Sequence, residues 1–233
     1  GRLVVCRGML APFPPALPRS LSPRPAPHPH RGDLPGRKPR PPRSSPRFDA
    51  QDVRNRLSRE EGLAAAIEWC RRTAVTQVYI ECFRDGYQAE RTALTNAMAR
   101  FRAAGMGVSG CVTTTRIGKP SAASKNPISC YTDKVTQDKL RAIFEYAASL
   151  ADETMIDDFW FTDCACAECD AARQARTVTI GSKTYAVSGD TWEDYRCELM
   201  VRLSRDYVLA AARKVNPRAR LIIKYPQWYD RFH

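Results

Sequence analysis

Short β-rich runs alternate with amphipathic helical segments along most of this chain, and this alternation restricts the fold more than any other feature. The β-rich runs are TQVYIECF, MGVSGCVTTT, TMIDDFWFT and RARLIIKYP, and the segments between them have helical apolar spacing. Strands joined through helices of this length pair in parallel by right-handed crossovers. The sequence therefore predicts an α/β fold with about four βα units.

Two architectures fit this order: an open parallel sheet, or about half of a (β/α)8 (TIM) barrel, which needs about 250 residues when whole. Ser58 with Glu61 predicts a capping box for the first helix, and Asp190 or Thr191 is expected to cap the last helix. RTVTIGSKTYAVSG predicts a β-hairpin insertion turning at Gly181-Ser182. An open barrel edge would favour oligomers.

The first 47 residues differ from the rest in composition. They contain 13 of the 17 prolines, ten Lys or Arg and one acid. We expect a disordered tail at 1–47, solvated or acting as an arm for RNA or a membrane surface, and a domain at 48–233. A nucleic-acid partner is therefore expected only through the tail.

No run is long enough to span a membrane, and the odd number of cysteines, nine, favours reduced thiols and a cytoplasmic location.

Histidine is almost missing from the predicted domain. The three histidines are His28, His30 and His233, so residues 48–232 contain none, and a Ser-His-Asp or Cys-His site inside the domain is not expected. Acid–base chemistry must then use Asp, Glu, Tyr, Lys or Cys. No glycine-rich phosphate turn follows the first strand, so no organic cofactor is expected.

Polar and aromatic residues gather where the predicted strands end, which is where parallel α/β folds place their chemistry. Acids beside aromatic residues are typical of sugar sites, because one carboxylate protonates the leaving oxygen while another attacks or activates water. The candidate catalytic residues are Asp158, Glu81 and Asp163. The candidate substrate-binding residues are Asp157, Arg84, Tyr87, Thr114, Arg116, Lys224, Tyr225 and Trp228.

Strand alternation refines this prediction. Tyr79, Glu81 and Phe83 should share one face, and the neighbours Asp157 and Asp158 should point to opposite faces, with Asp158 favoured as the one that enters the site. The alternative is that these acids are helix caps or members of buried ion pairs.

The third run continues into IDDFWFTDCACAEC, which contains Cys164, Cys166 and Cys169 in a C-x-C-x2-C pattern. Three thiolates suggest a structural zinc site whose fourth ligand is Cys197, Cys130 or Asp163. Reduced loop cysteines and a redox pair are the alternatives. The remaining inner cysteines, including Cys82 and Cys111, are predicted to be core residues.

Together with VYIECFRDGYQAE, VSGCVTTTRIGKPS, SCYTD and LIIKYPQWYD, this stretch resembles glycoside-hydrolase-like (β/α)8 barrel proteins of bacteria over about residues 50–233. The resemblance implies a glycoside hydrolase acting on a carbohydrate, with its site at the carboxyl ends of the strands. It also implies structural zinc, since similar cysteine loops bind zinc in some β-galactosidase-type barrels.

The chain has no second half of the barrel, where many barrel glycosidases place a catalytic carboxylate, so we expect a fragment whose catalytic pair is incomplete. The alternatives are a barrel hydrolase or lyase on a non-sugar substrate and a non-catalytic binding domain.

Overall fold

The computed structural model of the chain describes residues 45–123 and 127–224. The predicted tail lies outside these ranges except for its last three residues. No helix in the described ranges is both long enough and apolar enough to cross a membrane.

The centre of the fold is a sheet of five parallel strands, with strands neighbouring in the order β1-β2-β4-β5-β8. A short strand, β3, turns back antiparallel onto β2. The strands of this sheet are β1 (Arg47–Phe48), β2 (Gln77–Arg84), β3 (Tyr87–Gln88), β4 (Gly107–Val112), β5 (Glu153–Ile156) and β8 (Arg220–Ile223). The predicted α/β class with parallel pairing is confirmed. The sheet also contains β1, a parallel strand that the four β-rich runs did not include.

Helices connect successive parallel strands. They are α1 (Ala50–Asp52), α2 (Glu60–Arg72), α3 (Arg91–Ala103), α4 (Lys134–Ala148), α5 (Ala167–Gln174), α6 (Trp192–Arg202) and α7 (Ala210–Val215). Two π-helical segments, Val53–Leu57 and Leu203–Leu209, lie between α1 and α2 and between α6 and α7. The predicted last helix is therefore one long helical stretch with a widened turn in its middle.

The helix ends agree with the sequence at one position and differ at another. Thr191 accepts the backbone N–H of Asp194, and the Asp194 carboxylate reaches back to Thr191, so the predicted cap of α6 is confirmed. The predicted capping box at Ser58 is wrong. Ser58 follows a π-helical turn and donates its hydroxyl to the Arg54 carbonyl at 2.6 Å, so Arg59 stands at the start of α2 instead.

The predicted hairpin insertion is confirmed as β6 (Thr177–Ile180) and β7 (Lys183–Ala186), which pair antiparallel. Gly181 turns the chain with a φ of +61°, a left-handed conformation that glycine adopts without a Cβ clash.

The two faces of the parallel sheet have different roles. Val78, Ile80 and Cys82 on β2 belong to the hydrophobic core together with helix residues such as Leu63 and Phe101. This core holds the helices against one face. The other face presents Tyr79 and Glu81, which pair in register with Ser109 and Cys111 of β4.

A bulge in β2 corrects one predicted position. Glu81 pairs with Cys111, but Phe83 pairs with Val112, so β2 contains one extra residue between them. Phe83 therefore joins Val112 in the core, and the expectation that it shares a face with Glu81 is wrong. The same extra residue returns Arg84 to the Glu81 face, where it contacts Thr113.

Candidate active site

Charged side chains from four strands or strand ends meet at the carboxyl edge of the sheet, on the face away from the helix-packed core. They come from β1, from β2, from the end of β5 and from the end of β8. The members of this charged network are Arg47, Glu81, Arg84, Asp157, Asp158 and Lys224. Parallel pairing of the strands explains the gathering, because it places all their carboxyl ends at one edge.

Glu81 lies at the buried end of the network. Its side chain is fully buried, and Oε1 accepts hydrogen bonds from Arg47 Nη1 at 3.0 Å, from Arg84 Nη1 at 3.2 Å and from the Thr113 hydroxyl. The other oxygen, Oε2, accepts the backbone N–H of Ala50 at 2.9 Å. Both carboxylate oxygens are therefore held by donors.

Asp157 lies in the middle of the network. Its Oδ1 accepts from Lys224 Nζ at 2.8 Å, and its Oδ2 lies 3.5 Å from Arg47 Nη1 and 3.8 Å from Arg84 Nη1. Burial disfavours the charged form of Arg47, but the nearby carboxylates of Glu81 and Asp157 outweigh it and raise the Arg47 pKa.

Asp158 lies at the exposed end of the network. Its Oδ2 accepts from Lys224 Nζ at 3.2 Å, while its Oδ1 is buried and has no hydrogen-bond partner among the described residues. Desolvation lowers the Lys224 pKa, but the bonds to Asp157 and Asp158 outweigh this and raise it. The expectation that the two aspartates point to opposite faces is wrong. The strand ends at Ile156, so alternation no longer applies and both carboxylates reach one ammonium.

Of the remaining predicted site residues in the described ranges, Asp163, Thr114 and Arg116 lie in loops that follow the strands, and Tyr87 lies on β3. Asp163 accepts from the Ser121 hydroxyl at 2.6 Å, and this bond joins the loop after β5 to the loop after β4. Thr114 is buried and donates to the Phe159 carbonyl, whereas Arg116 is exposed. Tyr87 is half-buried, with the Arg54 guanidinium 5.5 Å from its ring centre.

Tyr225 and Trp228, predicted as substrate-binding residues, lie outside the described residues.

Four cysteines gather in the loops that follow β4 and β5. The Sγ atoms of Cys130, Cys164, Cys166 and Cys169 all lie within 4.8 Å of one another, and this cysteine cluster could hold a metal ion. Cys130 comes from the loop after β4, and the other three come from the loop after β5 and from α5. Of the three fourth ligands proposed, Cys130 is the one that joins the cluster. Cys197 is exposed on α6, and Asp163 bonds Ser121 instead.

Polar groups surround the cysteine cluster. The Thr132 hydroxyl lies 3.1 Å from Cys169 Sγ and 2.6 Å from the Tyr195 hydroxyl. Lys119 Nζ lies 3.9 Å from Cys166 Sγ and pairs with Glu168 at 2.9 Å. A hydrogen bond from Cys169 lowers the pKa of Cys130 to about 5, and the same contact raises the pKa of Cys169.

Sequence reasoning missed two members of the site. Arg47 is the last residue of the predicted tail, and its role depends on pairing with Glu81, 34 residues away. Thr113 follows β4 directly, one residue before the predicted Thr114. Its position at a strand end was a usable signal, whereas for Arg47 no local pattern indicates the contact.

Comparison with known proteins identifies the family. The family described as "probable glycosyl hydrolase, catalytic domain" matches residues 43–233. The chain belongs to this family. The resemblance to glycoside-hydrolase-like proteins drawn from the sequence motifs is thereby confirmed.

Individual relatives are distant. An uncharacterized protein of Saccharolobus solfataricus is 24% identical over 195 residues, which cover 75% of this chain and 31% of that protein. The chain therefore spans about a third of the length of this curated relative.

Two solved structures are also similar. A hypothetical protein from Ruminiclostridium thermocellum has 13% identity and a TM-score of 0.49, with 76% of this chain and 96% of that chain covered. A structure described as a glycoside hydrolase has 12% identity and a TM-score of 0.36, and the match covers 68% of this chain and 45% of that chain.

Proposed function

We propose that residues 48–233 are the N-terminal part of a glycosidase-type (β/α)8 barrel that acts on a carbohydrate, with Arg47 and β1 completing its first strand. Membership in a glycosyl hydrolase family supports the activity, and parallel strands joined by helices support the architecture. The charged network at the carboxyl edge lies where barrel enzymes bind substrate. Residues 1–44 stay outside this proposal.

Asp158 is the proposed proton-transfer carboxylate. The single observation behind this assignment is the state of its oxygens: Oδ1 has no hydrogen-bond partner in the described part of the chain, although it is buried. Buried polar atoms are nearly always paired in folded proteins, so an unpaired oxygen on a carboxylate whose side chain is 33% exposed suggests a functional role for Asp158 rather than a structural one. Glu81, by contrast, has hydrogen-bond donors on both oxygens, and Asp157 accepts from Lys224 at Oδ1 and lies within ion-pair distance of Arg47 at Oδ2.

In this proposal the Asp158 carboxyl group protonates the glycosidic oxygen as the bond to the leaving group breaks, and a second carboxylate attacks or activates water. Two other predicted residues, Asp163 and Tyr87, are proposed to bind the sugar. Asp163, fixed through Oδ1 by Ser121, offers its second oxygen to a hydroxyl group, and Tyr87 offers an aromatic ring face.

We further propose that the cysteine cluster binds structural zinc. Four Zn–S bonds of about 2.3 Å in a tetrahedron place the sulfur atoms about 3.8 Å apart. Three sulfur–sulfur distances in the cluster are 3.6, 3.6 and 3.9 Å, which supports the fit. A set of four thiolates leaves no open position, so the metal would join the two loops that hold Ser121 and Asp163.

Activity of the full-length gene product on a panel of aryl glycosides tests the enzymatic proposal, with Asp158→Asn as the variant. We expect kcat/KM to fall about 100-fold or more, the usual range for a lost general acid. The matched control is Glu68→Gln, an equally small change at an exposed carboxylate on α2, which should leave activity unchanged. Unchanged activity in Asp158→Asn would refute the assignment, and an inactive wild-type protein would favour a binding domain.

Metal analysis tests the zinc proposal. The purified wild-type protein should contain about one zinc per chain, and Cys130→Ser should lose most of it during dialysis against a chelator. Cys197→Ser removes an exposed thiol from outside the cluster and should keep the metal. Equal zinc contents in the two variants would contradict the proposed ligand set.

A further inference from the structure

We propose that Glu81 is a positioning residue, which acts through Arg47 and Arg84 to set the charge and place of Asp157, Lys224 and Asp158. Its sequence position at a strand end suggested a catalytic acid. A catalytic acid must touch the substrate, whereas the Glu81 side chain is fully buried.

The first step is the saturation of the Glu81 carboxylate. An ionised carboxylate has about four acceptor positions. Four donors contact this carboxylate, Arg47, Arg84 and Thr113 at Oε1 and the Ala50 N–H at Oε2, so each oxygen already accepts at least one hydrogen bond. The side chain is also fully buried, so substrate cannot reach it without a rearrangement of β1.

The second step is the sharing of two cations between two carboxylates. The same Nη1 atoms that bond Glu81 lie 3.5 Å (Arg47) and 3.8 Å (Arg84) from Asp157 Oδ2. Each guanidinium is therefore held between Glu81 on one side and Asp157 on the other. If Glu81 loses its charge, both guanidinium groups are free to move closer to Asp157.

The third step is the connection to Asp158. Lys224 Nζ bridges Asp157 Oδ1 at 2.8 Å and Asp158 Oδ2 at 3.2 Å. Charges thus alternate along the network from Glu81 to Asp158, with three carboxylates balanced by three cations. Removal of the Glu81 charge leaves a net charge of +1, and this favours the deprotonated state of every remaining member.

Removal of a cation from the network should shift the protonation of Lys224 in the opposite direction. Arg84→Met removes one cation and leaves a net charge of −1, which favours the protonated state of Lys224. The Arg84 guanidinium is only partly buried, with 24% of the side chain exposed, so this variant is the safer one to fold. The net charges of the two variant networks, +1 and −1, therefore lie on either side of the neutral wild-type network.

The reactivity of the Lys224 amine measures the network without any substrate. Trace acetylation at pH 8 modifies the free amine, and its rate at Lys224 can be compared by mass spectrometry with that at Lys214, an exposed lysine on α7. A change of about half a pKa unit corresponds to about a threefold change in rate. We expect Lys224 to react about threefold faster in Glu81→Gln and about threefold slower in Arg84→Met.

The control is Arg100→Met, which breaks the exposed pair between Arg100 and Glu60 and should leave the Lys224 rate unchanged. Unchanged acetylation rates at Lys224 in both network variants would overturn the proposal. Rates that change in the same direction in Glu81→Gln and Arg84→Met would also overturn it. If Glu81→Gln does not fold, the result for Arg84→Met alone decides.

A kinetic experiment extends the test to the site, and this part rests on the proposed function. Because Asp158 must be protonated to act as an acid, Glu81→Gln should move the alkaline limb of the kcat/KM profile about half a unit to lower pH. A loss of more than about 100-fold at every pH would mean that Glu81 acts directly. If the wild-type protein is inactive on glycosides, the proposed function fails, while the acetylation rates still test the network.

Discussion

Replacement of Gln137 by leucine should destabilise the fold strongly, because one side chain joins three separate segments. Gln137 lies on α4 and is almost completely buried. Its Nε2 donates to the carbonyls of Tyr131 at 2.9 Å and Thr179 at 3.0 Å, and its Oε1 accepts the N–H of Gly181 at 2.8 Å. The bonds fix the hairpin to α4 and hold the loop residue that follows Cys130.

The expected cost follows from the number of groups left without partners. Leucine is similar in size but cannot form hydrogen bonds, so two carbonyls and one N–H lose their partner. At about 1 kcal/mol for each lost bond, Gln137→Leu should lower the free energy of unfolding by about 3 kcal/mol. For a domain of this size the melting temperature should fall by about 10 °C.

Urea unfolding followed by circular dichroism measures this difference in the free energy of unfolding. The comparison requires that the unfolding free energy falls with urea concentration at the same slope in both proteins. The matched control is Gln174→Leu, since Gln174 is exposed and bonds only Asp170 among the described residues. The control should change stability by less than about 0.5 kcal/mol. A loss below about 1 kcal/mol in Gln137→Leu would refute the reasoning.

Two further predictions concern packing and thiol chemistry. Gly118→Ala should destabilise the protein by about 1–3 kcal/mol in the same urea experiment, because a Cβ there would lie 2.2 Å from Thr136 Oγ1. An unchanged unfolding midpoint would show that this close approach does not affect stability. At pH 8 a thiol reagent should modify exposed Cys197 in the native protein but reach Cys82 only on unfolding, because burial raises the pKa of Cys82 to about 12 and shields it. Equal rates at the two thiols would count against this packing.

The sequence was informative where structure depends on local pattern. Alternating strands and helices predicted the parallel sheet, and Gly181 between two alternating runs predicted the hairpin. The C-x-C-x2-C spacing predicted three of the four cysteines of the cluster. The hairpin and cysteine signals each lie within a few residues along the chain.

The sequence was less informative where structure depends on distant contacts. Cys130 joins the cluster across 39 residues from Cys169, and nothing in its own neighbourhood separated it from Cys197. The short strand β1 has two residues and is stabilised by pairing with β2 rather than by its own propensity. The β2 bulge likewise inverts the faces of Phe83 and Arg84, which no alternation rule predicts.

The contacts also separate acids that looked equivalent in the sequence. Glu81, Asp157 and Asp158 all follow or end β-rich runs. Their difference arises from the donors that other strands bring to them, and it leaves one oxygen of Asp158 without a partner in the described ranges. Pairing across the sheet, rather than residue type, therefore guides the assignment of roles.

The dependence of rate on the leaving group tests the central assignment, Asp158 as the general acid, most directly. A leaving group of low pKa, such as dinitrophenolate, needs little protonation, whereas a poor one depends on the acid. We predict that Asp158→Asn slows hydrolysis of poor aryl leaving groups at least about tenfold more than that of dinitrophenyl glycosides. An equal loss with both kinds of leaving group would contradict the account.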